Sequence, residues 1–209
     1  HMGMAGIPWF TTDMGGFHDG IIDSDDFKEL LARWCAFSCF LPVMRNHGDR
    51  SLHTATGKET ITNSAGDHRS PSGADNEPWS YGPEMEQIFR KFIAIREKMR
   101  PYTRELFESA HIDGQPLVRG LFYEFPQDKS VSDIADEYMF GPDILVAPIV
   151  EAGARSRKVT LPGNASITWT DLRTGKVYEG GQKITVDAGI DTIPAFARDG
   201  HDHGLIGML

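Results

Sequence analysis

The chain has 209 residues, of which 40% are apolar and 24% are charged, a composition typical of globular proteins with a buried core. Its 30 acidic residues outnumber 21 lysines and arginines, and the net charge of −9 argues against nucleic acid or an anionic membrane as main partner. No apolar run approaches the roughly 18 residues of a membrane span, and two cysteines cannot form a disulfide framework. A complete α/β barrel takes about 250 residues, so this chain cannot hold one beside a second domain.

The first residues predict a leader followed by a strand and a loop. His1 and Met2 resemble the remnant of a cloning site, and residues 1–5 are set apart from the fold. Residues 7–12 form a short apolar and β-branched run, which predicts a buried strand. The strand opens into a loop at Asp13, and two glycines follow at positions 15 and 16.

A helix and a second strand are predicted next. Ser24 has the chemistry of a helix N-cap, and apolar residues follow it at three- and four-residue spacing as far as Pro42. Residues 41–44 predict another buried strand, which carries Arg45 and His47 to its C-terminal end. The repeated order of strand, polar loop and helix indicates units of an α/β barrel.

The middle of the chain predicts a long loop followed by a helix. Residues 48–83 are rich in Gly, Ser, Thr, Asn, Asp and Pro, so we expect a long irregular loop of the kind that usually carries function. From Glu84 to Leu106 apolar residues step by three or four, which predicts the strongest helix of the chain. Pro101 is expected to kink or split this helix.

The last part of the chain predicts an all-β module. Short runs separated by turn residues lie at 117–125, 144–150, 157–161, 167–170, 183–186 and 192–198. The predicted organisation is therefore the end of a barrel over residues 6–112, a β-sandwich domain over 113–200 and a tail over 201–209.

Residue chemistry alone selects a small polar group. Asp13 ends a predicted buried strand, where barrel enzymes present side chains to ligands, although most loop carboxylates are solvated. Arg45 and His47 end the second strand and can donate several hydrogen bonds to a hydroxyl-rich ligand. Histidines and cysteines show no metal-ligand spacing, and Cys35 and Cys39, at i and i+4, predict buried thiols. We expect no metal and no cofactor.

Several segments together carry a resemblance to a known family: GIPWFTTDMGGF (6–17), ARWCAFSCFLPVMRNHG (32–48), NEPWSYG (76–82), REKMRPY (96–102), GLFYEFPQD (120–128) and DEYMFGPDILVAPIVEAGARSRKVTLP (136–162). From about residue 6 to Gly200 the chain resembles glycoside hydrolase family 31, most closely its bacterial α-xylosidase branch with α-glucosidase and transglucosylase relatives. The resemblance implies a retaining α-glycosidase with a catalytic (β/α)8 barrel followed by an antiparallel β-sandwich. In the family one aspartate attacks the anomeric carbon and another protonates the departing oxygen.

Neither catalytic motif is found in this sequence. The segments around Asp13 and His47 resemble those near the seventh and eighth barrel strands, which follow both catalytic aspartates in the family. Asp75 superficially resembles a nucleophile motif, yet its position after His47 matches a late loop. We therefore expect no catalytic residue in this chain.

The resemblance does imply sugar-binding residues in this chain. Phe17 matches a phenylalanine that lines the subsite of the cleaved sugar, and His47 matches a histidine that hydrogen-bonds its hydroxyls. Asp13 and Arg45 belong to the same motifs and are expected to bind sugar or to brace the pocket floor. Trp9 and Trp79 are weaker candidates.

The predicted function is that of the C-terminal portion of an α-glycosidase that hydrolyses terminal α-linked xylose or glucose, inactive by itself. The alternative is a non-catalytic carbohydrate-binding or assembly module. The expected partners are an α-linked oligosaccharide or glycoside in the complete enzyme, and either further copies of the chain or a complementing N-terminal part. A cytoplasmic location is favoured.

Overall fold

The computed structural model describes residues 2–18, 20–21, 24–49, 61–62, 68–69 and 75–209. The first long helix is α1 (Asp25–Cys39), and Ser24 caps it by accepting a hydrogen bond from Phe27 N at 3.2 Å. Asp25 and Asp26 lie in the first turn, where carboxylates stabilise the positive end of a helix. The predicted cap and helix are confirmed.

The two barrel strands expected at residues 7–12 and 41–44 do not form as regular strands. Two largely extended segments, 10–18 and 43–49, run parallel instead, and three backbone hydrogen bonds join them: Val43 N to Phe10 O at 3.2 Å, Met14 N to Arg45 O at 3.4 Å and Asp49 N to Phe17 O at 2.8 Å. A turn at Met14 and Gly15 interrupts the first segment, so no continuous ladder develops. The parallel arrangement of two barrel units is nevertheless present.

The expected loop at 48–83 holds short elements in its described part. β1 (Ile61–Thr62) pairs antiparallel with β2 (His68–Arg69), and a 3₁₀ helix spans Pro78–Tyr81. Residues 50–60, 63–67 and 70–74 of this prediction lie outside the described residues.

The predicted long helix is split at its proline. α2 (Pro83–Lys98) is followed by α3 (Arg100–Asp113), with Pro101 in the first turn of α3. Proline fits there because the first amides of a helix have no intrahelical acceptor. The two helices bury apolar stripes against α1 and the sheet described next.

The β domain contains two antiparallel sheets. Six strands lie in the spatial order β3-β4-β5-β10-β7-β8, and β6 pairs with β9 in a second sheet. The strands are β3 (Val118–Gly120), β4 (Tyr138–Phe140), β5 (Ile144–Val146), β6 (Ser156–Leu161), β7 (Thr168–Asp171), β8 (Val177–Glu179), β9 (Gln182–Asp187) and β10 (Ala195–Arg198). This is the predicted antiparallel sandwich following a barrel end.

Three details of the strand prediction were wrong. The run 117–125 forms β3 and then a helical turn, α4 (Leu121–Glu124), because Leu121 and Phe125, four residues apart, enter one core. The run 144–150 ends as a strand at Val146, and β4 and β8 were not predicted. Three-residue strands are too short to show a clear alternation in the sequence.

The six-stranded sheet separates two apolar cores. One face points toward α1, α2 and α3 and contributes Phe140, Ile144, Val146, Ala195 and Ala197. The other faces β6 and β9 and contributes Met139, Leu145, Trp169 and Phe196. Alternate residues of one strand thus serve different cores, as the pleat requires.

Arg33 of α1 connects the helical part to the β domain. Its buried guanidinium donates hydrogen bonds to four main-chain carbonyls, those of Gly189, Ala188, Ala154 and Thr192, at 2.6 to 3.3 Å. Nearby, Glu29 pairs with Arg155 at 2.5 Å. Since Arg33 satisfies several carbonyls at once, it fixes α1 against the loops that flank β6, β9 and β10.

The C-terminal residues pack on the same body. Leu205 and Leu209 are buried in the core on the helical side of the sheet. His203 Nε2 lies 2.9 Å from Asp143 Oδ2, and its ring stacks on Tyr102 with centroids 3.9 Å apart. Residues 201–209, expected as a tail, are therefore ordered against the domain. None of the helices in the described ranges has the length and hydropathy needed to cross a membrane.

The two cysteines are free and buried, as predicted. Cys35 and Cys39 lie on the inner face of α1, and Cys39 Sγ lies 3.4 Å from Phe92 O. Burial raises the pKa of both thiols, that of Cys39 to about 12, so both stay protonated near neutral pH.

Candidate functional site

The candidate site forms where the two extended segments lie side by side. Arg45 Nη2 is 2.8 Å from Asp13 Oδ1, and His47 Nδ1 is 3.9 Å from Asp13 Oδ2. Asp13 Oδ1 is buried without an aligned hydrogen bond in the described structure, so its contact with Arg45 is an ion pair. Arg45 and His47, more than 30 residues after Asp13 in the sequence, thus approach its carboxylate together.

Aromatic rings complete the group. The ring centroids of Phe17 and His47 lie 4.9 Å apart at an interplanar angle of 39°, and those of Phe17 and His18 lie 4.4 Å apart in an edge contact. The side chains of Arg45 and His47 are about half exposed, at 45% and 51%, and Phe17 is also exposed. The four predicted residues, Asp13, Phe17, Arg45 and His47, therefore line one accessible surface, which we call the sugar-site wall.

The local backbone explains how Asp13 and Phe17 can face the same ligand. Gly16 N donates to Asp13 O at 2.9 Å, which closes a tight turn between them. Gly15 and Gly16 have φ values of 79° and 72°, a left-handed conformation that favours glycine. On the helical side, Trp34 Nε1 donates to Thr12 Oγ1 at 2.9 Å and holds the segment against α1.

A second layer behind the wall was not predicted. Asn46 Nδ2 donates to Asn76 O at 3.0 Å, and the Tyr81 hydroxyl donates to Asn76 Oδ1. Asn76 and Tyr81 both lie in NEPWSYG, one of the segments that carry the family resemblance, in which only Trp79 was a candidate site residue. An asparagine next to a turn is common in loops, so only the coincidence with a motif segment could have indicated its role.

The weaker tryptophan candidates are not gathered with the others. Trp9 and Trp79 are 62% and 65% exposed, and neither makes a ring contact with the sugar-site wall among the described residues. Asp75, excluded as a nucleophile on sequence grounds, is exposed.

The chemistry of the wall suits a neutral polyhydroxylated ligand. Arg45 and His47 supply donors, and the exposed Phe17 ring offers an apolar surface for the C–H face of a sugar. The wall holds one carboxylate, which is paired with Arg45, and double displacement needs two. Across the described residues, no group of three or more His, Cys, Asp or Glu side chains is arranged to hold a metal ion.

Comparison with known proteins matches both parts of the chain. Residues 1–106 match the glycosyl hydrolases family 31 TIM-barrel domain, and residues 114–201 match the glycosyl hydrolase family 31 C-terminal domain. Fold and matches together define the barrel end and C-terminal domain of a glycoside hydrolase.

Individual relatives agree with these domain matches. The chain is 33% identical over 204 residues to an alpha-xylosidase of Saccharolobus solfataricus, covering 98% of this chain and 24% of that protein. It is 32% identical over 201 residues to alpha-glucosidase 2 of Bacillus thermoamyloliquefaciens, covering 96% and 22%. A crystal structure of a GH31 alpha-xylosidase from a soil metagenome, complexed with xylose, superposes with a TM-score of 0.85 at 43% identity, over 98% of this chain and 30% of that one.

The chain belongs to glycoside hydrolase family 31. It spans about a quarter of the length of the curated relatives it matches.

Proposed function

We propose that the chain is the C-terminal portion of a retaining α-glycosidase that hydrolyses terminal α-linked xylose or glucose, and that it supplies one wall of the pocket for the cleaved sugar. The observation that carries this proposal is the convergence of Arg45, His47 and Phe17 around Asp13 on an accessible surface. Relatives named alpha-xylosidase and alpha-glucosidase support the choice of substrate class.

Each residue of the wall has a part in binding. Phe17 covers the apolar face of the sugar ring, while His47 and Arg45 donate hydrogen bonds to its hydroxyls. Asp13 orients Arg45 through their 2.8 Å ion pair, and its second oxygen faces His47. Because the two donors share one carboxylate, they present a fixed spacing to the ligand.

The proposal places both catalytic carboxylates outside these 209 residues. Hydrolysis with retention requires a nucleophile and an acid about 5 to 5.5 Å apart, one reaching the anomeric carbon and the other the leaving oxygen. The wall supplies one carboxylate, that of Asp13, so it cannot by itself provide this pair. The chain alone is accordingly inactive, and it binds sugar weakly because one wall makes few contacts.

A complementing part would cover apolar surface next to the site. Segment 43–46 and α2 border an open groove of about 470 Å³, lined in part by Met14, Val43 and Ile93. Val43 and Ile93 are exposed, at 36% and 51%. Apolar surface of this kind favours association with a partner, either the N-terminal part of the enzyme or further copies of the chain.

Co-expression with a matching N-terminal portion tests the proposal. We expect no hydrolysis of aryl α-xylosides or α-glucosides by the chain alone and measurable hydrolysis by the complex. His47→Ala in the complex should raise KM and lower kcat/KM, whereas His111→Ala, on the exposed end of α3, should leave both unchanged. Hydrolysis by the purified chain alone would overturn the assignment.

A binding module without hydrolysis is the second candidate, because the wall is accessible in the chain as it stands. Titration calorimetry with xylose, glucose and isoprimeverose separates the two. Weak or undetectable binding supports the α-glycosidase portion. Tight binding that is lost in His47→Ala would favour the binding module.

A further inference from the structure

We propose that Asn76 is a positioning residue that supports the segment carrying Arg45 and His47 from behind and so sets the geometry of the sugar-site wall. The inference rests on the proposed function in one respect, that the wall binds sugar. The structural part of the inference can be tested without a ligand.

Residues of segment 43–49 face two sides in alternation. Arg45 and His47 point toward Asp13, as their distances of 2.8 and 3.9 Å show. Asn46 points the other way, since its Nδ2 donates to Asn76 O at 3.0 Å. In an extended chain successive side chains alternate between faces, so support at position 46 controls the placement of both neighbours.

Asn76 also contacts this segment at a second point. A methyl group added to Gly48 would lie 2.9 Å from Asn76 Nδ2 and 3.0 Å from Phe17 O. Gly48 therefore lies close to both the Asn76 side chain and the backbone of Phe17. Asp49 N donates to that same Phe17 O at 2.8 Å, which ties the two extended segments together next to this contact.

The far side of Asn76 is attached to the core. The Tyr81 hydroxyl donates to Asn76 Oδ1, and Tyr81 itself is only 3% exposed. Its ring packs at 6.1 Å from Phe27 of α1, and it lies directly before α2. A chain of contacts thus runs from the helical core through Tyr81 and Asn76 to the residues on either side of His47.

This connection explains how a loop residue can influence the wall. Without the Asn76 side chain, the hydrogen bond from Tyr81 is lost and Asn76 is no longer held in place behind residues 46–48, so His47 gains freedom relative to Phe17. The separation of 4.9 Å between these two rings is the quantity that should change. Main-chain support from Asn76 O is retained in side-chain variants, so a local effect is expected rather than unfolding.

Nuclear magnetic resonance of the whole 209-residue chain tests the inference. The probe is the nuclear Overhauser effect between the Phe17 and His47 rings, recorded with the His47 ring chemical shifts. Asn76→Ala and Tyr81→Phe should each weaken or abolish the effect, and the double variant should do no more than either single variant, because both remove the same connection. Asn76→Asp keeps the oxygen that accepts from Tyr81 and should restore the signal.

Asn164→Ala is the matched control. Asn164 also accepts hydrogen bonds through its side-chain oxygen, from Ser166 N at 2.9 Å, but it lies in the β domain away from the wall. This variant should leave the Phe17 and His47 signals unchanged. If Asn76→Ala does not fold, Tyr81→Phe still removes the connection by deleting a single hydroxyl.

The outcomes separate this inference from the proposed function. An unchanged ring-to-ring effect and unchanged His47 shifts in folded Asn76→Ala and Tyr81→Phe would overturn the positioning role. A weakened ring-to-ring effect in these variants, together with no hydrolysis by the wild-type complex described above, would support the positioning role and reject the α-glycosidase assignment.

Discussion

Glu137 is a buried carboxyl group whose titration should make stability depend on pH. It precedes β4 and is 6% exposed, and its oxygens accept hydrogen bonds from Thr160 N at 3.0 and 3.2 Å. Burial raises its pKa from 4.5 to about 7, against the opposing effects of the Thr160 amide and Arg157. The charged groups around it are Asp136, Arg157 and Lys183.

The sign of the effect follows from the direction of this shift. The folded protein holds the Glu137 proton more tightly than the unfolded chain, so unfolding releases a proton in this range. The stabilising contribution is complete below about pH 4.5 and is lost as pH rises through 7. The difference between 4.5 and about 7 corresponds to about 3 kcal/mol, at about 1.4 kcal/mol per pKa unit.

Glu137→Gln should remove this dependence, because the amide cannot ionise and its oxygen can still accept from Thr160. Urea unfolding of both proteins at pH 5, 6, 7 and 8 gives the free energies of unfolding. The variant should gain stability relative to wild type as pH rises, by up to about 3 kcal/mol at pH 8. Glu151→Gln, the same change on an exposed side chain, should show no such trend. Parallel pH profiles for wild type and Glu137→Gln would show that Glu137 does not titrate with a raised pKa in the folded protein.

Three further predictions concern the body of the fold. Arg33→Ala leaves four carbonyls without their donor and should cost about 3 kcal/mol or more in urea unfolding, while Arg90→Ala, which breaks an exposed helical ion pair, should cost about 0.5 kcal/mol or less. Cys35 and Cys39 should react with a thiol reagent only as fast as the protein opens, so reaction at the unfolded rate in native buffer would contradict their burial. Gly141→Ala should lower the melting temperature by several degrees, because φ is 63° there and the added methyl would overlap the buried Tyr102 side chain.

Features that are determined by residues close together in the sequence could be predicted from it. The cap at Ser24 and the split at Pro101 depend on neighbours within one or two turns, and the burial of Cys35 and Cys39 follows from their place in the apolar stripe of α1. The longer β runs, such as 157–161 and 183–186, also appear within the strands β6 and β9. For these elements local propensity and the final fold agree.

The remaining features depend on distant partners. The pattern of residues 117–125 predicts one strand. In the structure the chain turns into the short helix α4, which brings both Leu121 and Phe125 into one core. The two expected barrel strands do not form, and their part of the chain is joined instead by separate hydrogen bonds between residues more than 30 positions apart, such as Val43 N to Phe10 O. Local propensity cannot describe an element whose form is set by what packs against it.

The candidate site shows the same division. Asp13, Arg45 and His47 could be selected because each ends a predicted strand, and Phe17 came from the family resemblance. Their mutual distances confirm that they lie together. The Arg33 contacts to carbonyls more than 100 residues away, and the support from Asn76, depend on the folded backbone and leave no local pattern to detect.

Labelling with a mechanism-based fluoroglycoside shows which polypeptide carries the catalytic nucleophile. A 5-fluoro-α-xylosyl or 5-fluoro-α-glucosyl fluoride traps the glycosyl enzyme on its nucleophile, and intact-mass spectrometry locates the added sugar. We expect no adduct on this chain, alone or in the active complex, and an adduct on the N-terminal portion of that complex. A sugar bound covalently to any aspartate or glutamate of these 209 residues would contradict it.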